Sequence, residues 1–312
     1  MTSKKKVGLA LGSGSARGWS HIGVVYGLRE AGIKIDMVCG TSIGSIVGAA
    51  LATGSLAKLE AWARELIWTD ILSFMDVTLP RSGLIEGDKI TRFFKANLSD
   101  PEIEDLSLPF AAVTTDVISG REVWLRKGSL MDAIRASISM PGVFTPFKIG
   151  ERWFVDGGLT NPVPVSLCRA MGADVVIAVN LNSDIMFKRR FAGKDIQNVP
   201  EKRRPEEKGL RKQITACLDT TMQRGKSLLL SRFSPEPGDR GPSLFEVMAN
   251  SINIMQDRIT RQRLAGDPPD ILISPSLAHI GLLEFHRADE AIEEGRRVFQ
   301  ITLPRIKETI EK

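Results

Sequence analysis

Three groups of residues in this 312-residue chain have the types and spacing to do chemistry together. The first is Gly40-Thr41-Ser42-Ile43-Gly44. It follows a short apolar run, Met37-Val38-Cys39, and precedes an apolar stretch from Ile46 to Ala52 that reads as a helix. A serine between two glycines on a sharp strand-to-helix turn is the layout of a nucleophile elbow. Gly40 and Gly44 remove side chains that would clash in so tight a turn. A hydroxyl raised at a helix start meets N–H groups that favour developing negative charge. The chemistry implied is hydrolysis with Ser42 as nucleophile. The same pentapeptide also arises by chance at ordinary strand–helix joints, so the reading needs partners elsewhere.

The second group is Gly12-Ser13-Gly14-Ser15-Ala16-Arg17-Gly18, directly after the first apolar run. Small residues let backbone N–H groups approach a substrate oxygen. A dinucleotide fingerprint would need an acid at the end of the second strand. Here Asp36 lies at that strand's start, and its end carries the serine turn. The other functional reading is an oxyanion hole, with two neighbouring strands bringing the loop beside Ser42. A plain tight turn of small residues is the third.

The third group is Asp156-Gly157-Gly158, at the end of a run that reads as a strand. Functional groups gather at strand ends in parallel sheets. An aspartate there can accept the Ser42 proton if partial burial raises its basicity. An aspartate closing a turn is the bland alternative. The chain has three histidines, His21, His279 and His286. Ser42, Asp156 and either His279 or His286 satisfy the chain order of a hydrolase triad. His21 reads as structural.

These groups need elements to hold them. Residues 7–11 read as a strand, 19–31 as a helix stopped by Gly32, and 35–39 as a second strand. Helices are expected to Thr53 and over 55–67, then an irregular stretch 71–92 and a short helix to Leu98. Residues 110–115 and 122–126 read as a hairpin around Ser119-Gly120. A helix over 130–139, a strand over 152–155, a helix over 164–171 and an apolar strand over 174–179 follow. Strands alternating with helices imply an α/β fold, a mostly parallel sheet covered on both faces. Beyond Asn182 the pattern breaks. A mobile basic insertion is expected over about 183–242, containing a basic amphipathic helix over 210–233. C-terminal helices and an edge strand are expected over 243–312.

Composition is ordinary for a globular protein, with 43% apolar and 25% charged residues. No apolar stretch approaches the roughly 18–20 residues of a membrane span. The apolar run at Val7–Leu11 is too short for a signal-peptide core. Cys39, Cys168 and Cys217 are too widely spaced for a disulfide framework or a metal site, which suits a reducing cytoplasm. Acid clusters lack calcium-loop spacing and the histidines are scattered, so no metal or cofactor is expected. Net charge is +5, yet Lys188–Lys212 alone carries ten basic and four acidic residues. That segment is suited to docking on anionic lipid headgroups at the inner membrane surface. It lacks the interleaved aromatics of a nucleic-acid surface.

Taken together and in this order, the three groups, with Ala136-Ser137-Ile138-Ser139-Met140-Pro141-Gly142 between them, resemble the patatin-like phospholipase family. The resemblance is greatest to compact bacterial members related to the esterase domain of neuropathy target esterase. It covers about 5–182, with Ala265–Ile273 extending it. It implies a single domain over 1–312 with a three-layer patatin-like fold. It implies a Ser–Asp dyad without histidine, with Ser42 as nucleophile and Asp156 as base. Oxyanion donors are implied in the loop Gly14, Ser15, Ala16, Arg17 and Gly18. The elbow's own geometry adds the amide of Ile43. The family loop is usually three glycines, one residue, Arg or Lys, then glycine. Ser13 and Ser15 stand in two of those glycine positions, and serine disfavours positive φ, so a differently shaped hole is expected. The implied activity is a phospholipase or lysophospholipase-type acyl hydrolase. The alternatives are an esterase or thioesterase on soluble acyl substrates and a weakly active regulatory or scaffold protein of the same fold. Nothing in the sequence speaks to oligomeric state.

Overall fold

The computed structural model describes residues 5–67, 100–183 and 244–311. Met1–Lys188 and Met248–Lys312 form one compact unit, and the following concerns that unit. Its centre is an eight-stranded sheet. The strands are β1 (Val7–Leu11), β2 (Met37–Thr41), β3 (Phe110–Asp116), β4 (Glu122–Leu125), β5 (Phe147–Ile149), β6 (Arg152–Asp156), β7 (Val175–Val179) and β8 (Ile271–Ile273). The order is β5-β6-β3-β2-β1-β7-β8, with β4 also paired to β3. Strands β1, β2, β3, β7 and β8 run parallel, while β4, β5 and β6 are added antiparallel.

The parallel strands are apolar and almost wholly buried, as expected of strands covered on both faces. Alternate residues divide between two cores. Leu9, Leu11, Val38, Ala112, Ile177 and Val179 pack in one cluster. That cluster takes in α1 (Ser20–Glu30), α2 (Ile43–Ala52), α3 (Leu56–Glu65), α4 (Leu130–Ser137) and the last helix, α7 (Ala288–Glu311). Ala10, Met37, Cys39, Ala111, Val113, Val176 and Ala178 face the other way, against α5 (Val165–Ala170) and Leu264 of α6 (Leu244–Gly266). The period-2 split makes the three layers.

Two details depart from the sequence-based expectation. Strand β2 starts at Met37 and runs through Gly40 and Thr41, so the elbow begins inside the strand. The short strand β5 has no sequence signature of its own, because it is an edge strand whose three residues pair only with β6. The expectations for 71–98, for 184–242 and for the basic segment Lys188–Lys212 fall outside the described residues.

Strands β2 and β3 are added on one side of β1, and β7 and β8 on the other. The loop after β1 therefore opens where the winding reverses, the usual location of a site in such sheets. The carboxyl ends of β1 and β2 point to the same edge, and Asp156 pairs with Thr114 near the carboxyl end of β3. The topology brings the three groups to one sheet edge.

Candidate active site

Ser42 follows β2 and occupies the N-cap position of α2 with φ 57° and ψ −126°. It is one of two non-glycine residues with positive φ among those described, the other being Ser15. A serine in this region costs roughly 1–3 kcal/mol and persists only where its surroundings fix it. Those surroundings are explicit. The Ser42 amide donates to Ser137 Oγ at 2.9 Å, and Ser137 Oγ donates to Val113 O at 2.7 Å. Ser45 Oγ donates to Ser42 O at 2.6 Å, and Thr41 Oγ1 donates to Asn161 O at 2.9 Å. A Cβ at Gly44 would lie 2.1 Å from Leu11 O, and one at Gly40 would lie 2.4 Å from Gly44 O. Only glycines let the turn close against β1.

The Ser42 hydroxyl donates to Asp156 Oδ2 at 2.6 Å, and both side chains are buried, at 5% and 1% exposure. Asp156 Oδ1 accepts from the Gly158 amide at 2.7 Å, within the 3-10 turn Gly157–Leu159. The Asp156 amide donates to Ser139 O at 3.0 Å, and Asp156 O accepts from Thr115 Oγ1 at 3.0 Å. Burial pushes the Asp156 carboxyl up to about 6. The hydrogen bonds from Ser42 and Gly158 pull the other way and only partly offset it. At neutral pH the group is an anion of raised basicity, hydrogen-bonded to a hydroxyl.

No histidine touches this pair. His279 Nε2 meets Glu290 at 2.5 Å on the exposed C-terminal segment, and His286 lies exposed in the 3-10 turn Phe285–Arg287. His21 is fully buried and its Nε2 meets Gly12 O at 2.8 Å. Burial lowers its pKa to about 4, so above pH 5 it is neutral and holds the base of the loop. The serine–aspartate–histidine order read from the chain is not a spatial cluster.

The loop after β1 is pinned at its base, with the Gly12 amide donating to Val179 O at 3.1 Å and the Ser13 amide to Pro162 O at 2.8 Å. The expected donors then divide. The Ala16 amide donates to Leu282 O at 3.3 Å and the Arg17 amide to Gly14 O at 3.3 Å, so both are engaged. The Gly18 amide belongs to the 3-10 turn Ser15–Trp19, and Gly18 packs directly against the Ile43 side chain. Among the described residues, the amides of Gly14, Ser15 and Ile43 have no acceptor. Arg17 is buried, and no carboxylate among the described residues pairs with it. Its Nε donates to Gly14 O at 3.0 Å, and desolvation lowers its pKa only to about 10. It stays cationic and polarises the Gly14–Ser15 peptide, which strengthens the free Ser15 N–H as a donor.

Comparison with known proteins places the chain in a family. A family profile described as patatin-like phospholipase matches residues 9–169, just over half the chain. The chain belongs to the patatin-like phospholipase family. Three relatives illustrate the range. An uncharacterized NTE family protein of Mycobacterium tuberculosis is 35% identical over 95% of this chain and 90% of its own length. A second from the same species is 33% identical over 96% of this chain, which spans 46% of that protein. Patatin-like phospholipase domain-containing protein 6 of Mus musculus is 39% identical over 57% of this chain and 14% of its own length. Membership in the patatin-like phospholipase family supports lipid acyl hydrolysis in general. No helix among the described residues is long and apolar enough to cross a membrane.

The positioning residues of this patatin-like site were the part sequence reasoning missed. Ser137 and Ser139 sat within a stretch quoted only for its resemblance, yet Ser137 holds the elbow amide and Ser139 the Asp156 backbone. Arg135, buried one turn earlier, donates to Ser139 Oγ at 2.7 Å. Their alternation with apolar Ala136 and Ile138 was the available signal, since a short helix buried to this extent has little reason to carry hydroxyls.

Proposed function

We propose that this protein is a serine lipid acyl hydrolase of the phospholipase or lysophospholipase type, working through Ser42 and Asp156. The observation that carries the reading is the 2.6 Å bond between a strained, buried serine and an aspartate of raised basicity. Asp156 takes the hydroxyl proton as Ser42 Oγ attacks the ester carbonyl carbon. The carbonyl oxygen becomes an anion that the Gly14 and Ser15 amides of the loop and the Ile43 amide at the N-terminus of α2 would stabilise. Collapse breaks the ester C–O bond, and the departing alcohol takes the proton from Asp156. Water then attacks the acyl-Ser42 ester, giving its proton to Asp156. Fatty acid leaves and the proton returns to Ser42.

The free amides also bear on the regulatory alternative, which rested on the two loop serines. Neither hydroxyl occupies an amide needed for the anion, which supports an active enzyme. The test is a turnover screen of phospholipids, lysophospholipids, thioesters and short soluble esters, with Ser42→Ala as control. Fatty-acid release from a glycerophospholipid that is lost in Ser42→Ala supports the reading. Equal release by both proteins overturns it.

A further inference from the structure

Ser13 and Ser15 stand where the family loop usually carries glycine, and the structure gives each hydroxyl a partner far along the chain. Ser13 Oγ donates to Gln256 Oε1 at 3.1 Å, and Asn182 Nδ2 donates to Ser13 Oγ at 3.3 Å. Ser15 Oγ donates to Leu282 O at 2.6 Å, beside the Ala16 amide bound to the same carbonyl. Gln256 is on α6, and Leu282 is in the turn before α7. A third tie follows the same face of α6, where Asn253 Oδ1 accepts from Arg17 Nη2 at 3.4 Å.

Gln256 also reaches the other half of the site. A Cβ on Gly158 would lie 2.4 Å from Gln256 Nε2 and 3.0 Å from Asp156 Oδ1. The buried carboxamide is therefore wedged between the donor loop and the turn that holds Asp156. One side chain touches both the donor loop and the turn that holds Asp156.

The backbone of Ser15 makes the case sharper. Its φ of 51° is left-handed, a conformation in which serine costs about 1 kcal/mol relative to glycine. Glycine would fit without strain. The hydroxyl contributes what glycine lacks, a short, partly buried hydrogen bond that returns about the same energy. The exchange is close to neutral for stability, so its benefit lies in where the loop is held.

We infer that Ser13 and Ser15 are positioning residues that latch the oxyanion loop to the C-terminal segment, with Gln256 setting the spacing between that loop and the Ser42–Asp156 pair. The inference rests on the proposed hydrolytic reading of the site. In other chains with glycines here, no side chain at these two positions can make such ties; in this one the loop is fixed from outside.

The test restores the glycine loop. Ser13→Gly, Ser15→Gly and the double variant are compared with wild type on a soluble ester, well below each variant's melting temperature and per folded molecule. The expected result is a fall in kcat of about tenfold for each single variant with KM within about twofold; the melting temperature is nearly unchanged for Ser15→Gly and a few degrees lower for Ser13→Gly, which loses buried hydrogen bonds without relieving any positive φ. Gln256→Leu, similar in size but unable to accept, is expected to behave as Ser13→Gly, and Ser13→Thr, which keeps the hydroxyl, to recover most of the rate. A double glycine variant with wild-type or higher kcat overturns the inference, because the serines are then only small fillers. A fall in kcat for Ser13→Thr as large as for Ser13→Gly also overturns it. Retained turnover in Ser42→Ala is a different failure, that of the hydrolytic reading itself.

Discussion

Asp156→Asn tests the electrostatics of the site through stability as well as rate. Folding moves the Asp156 carboxyl from an ordinary 3.8 to about 6. The folded chain therefore holds a proton between those values that the unfolded chain has released. Stability falls as pH rises through this window and is flat above about pH 7. The shift of about two units corresponds to about 3 kcal/mol of penalty for burying the anion. Asparagine keeps an acceptor for the Gly158 amide and carries no charge. Its variant is expected to gain about 3 kcal/mol relative to wild type between pH 4 and pH 7.5, or about 4–5 °C in melting temperature for a chain of this size. Turnover is expected to be lost at the same time, as a trade of function for stability. The assay is thermal and denaturant unfolding of both proteins at half-unit steps of pH. Any constant offset reflects altered hydrogen bonds; the growth of the difference with pH is the diagnostic quantity. Two parallel stability curves across pH 4–7.5 would refute the claim that Asp156 is an anion held at the expense of the fold.

Gly44→Ala puts a methyl 2.1 Å from a strand carbonyl, so the start of α2 must move away from β1. A loss of 3 kcal/mol or so in unfolding free energy is expected, against about 1 kcal/mol for Gly54→Ala, which has positive φ but open space around it. Equal losses by denaturant titration would show that the elbow is not tightly packed. We further propose that the Lys188–Lys212 segment docks on anionic headgroups at the inner membrane surface. Co-sedimentation with phosphatidylserine vesicles at low salt, fading as salt rises and absent with neutral vesicles, is the expected result; equal binding to both vesicle types removes the electrostatic claim.

The fold was legible because its strands are continuous apolar runs separated by helical periods, and a doubly covered sheet follows from that pattern. The strained turn that carries the proposed nucleophile was legible from Gly40, Gly44 and the strand before them, since a turn that tight admits few sequences. Choosing aspartate over histidine was not legible from spacing. Ser42, Asp156 and either of two histidines fit in chain order; the family resemblance favoured the aspartate alone, and the three-dimensional layout keeps both histidines away from Ser42. The oxyanion donors were half legible. The loop was identifiable, but which amides remain free depends on Leu282 and Gly14 carbonyls that no local pattern reveals. The two serines read as a defect in the loop because their partners, Gln256 and Leu282, lie more than 200 residues away.

The central claim is that Ser42 is a nucleophile activated by Asp156 alone. Covalent labelling with a fluorophosphonate, read by intact mass and peptide mapping, tests it most directly. One adduct, on Ser42, is expected in wild type and in the His279→Ala and His286→Ala variants. None is expected in Ser42→Ala, and at least a hundredfold slower labelling in Asp156→Asn. An adduct on another residue, or labelling abolished by loss of His279 or His286, would contradict the claim.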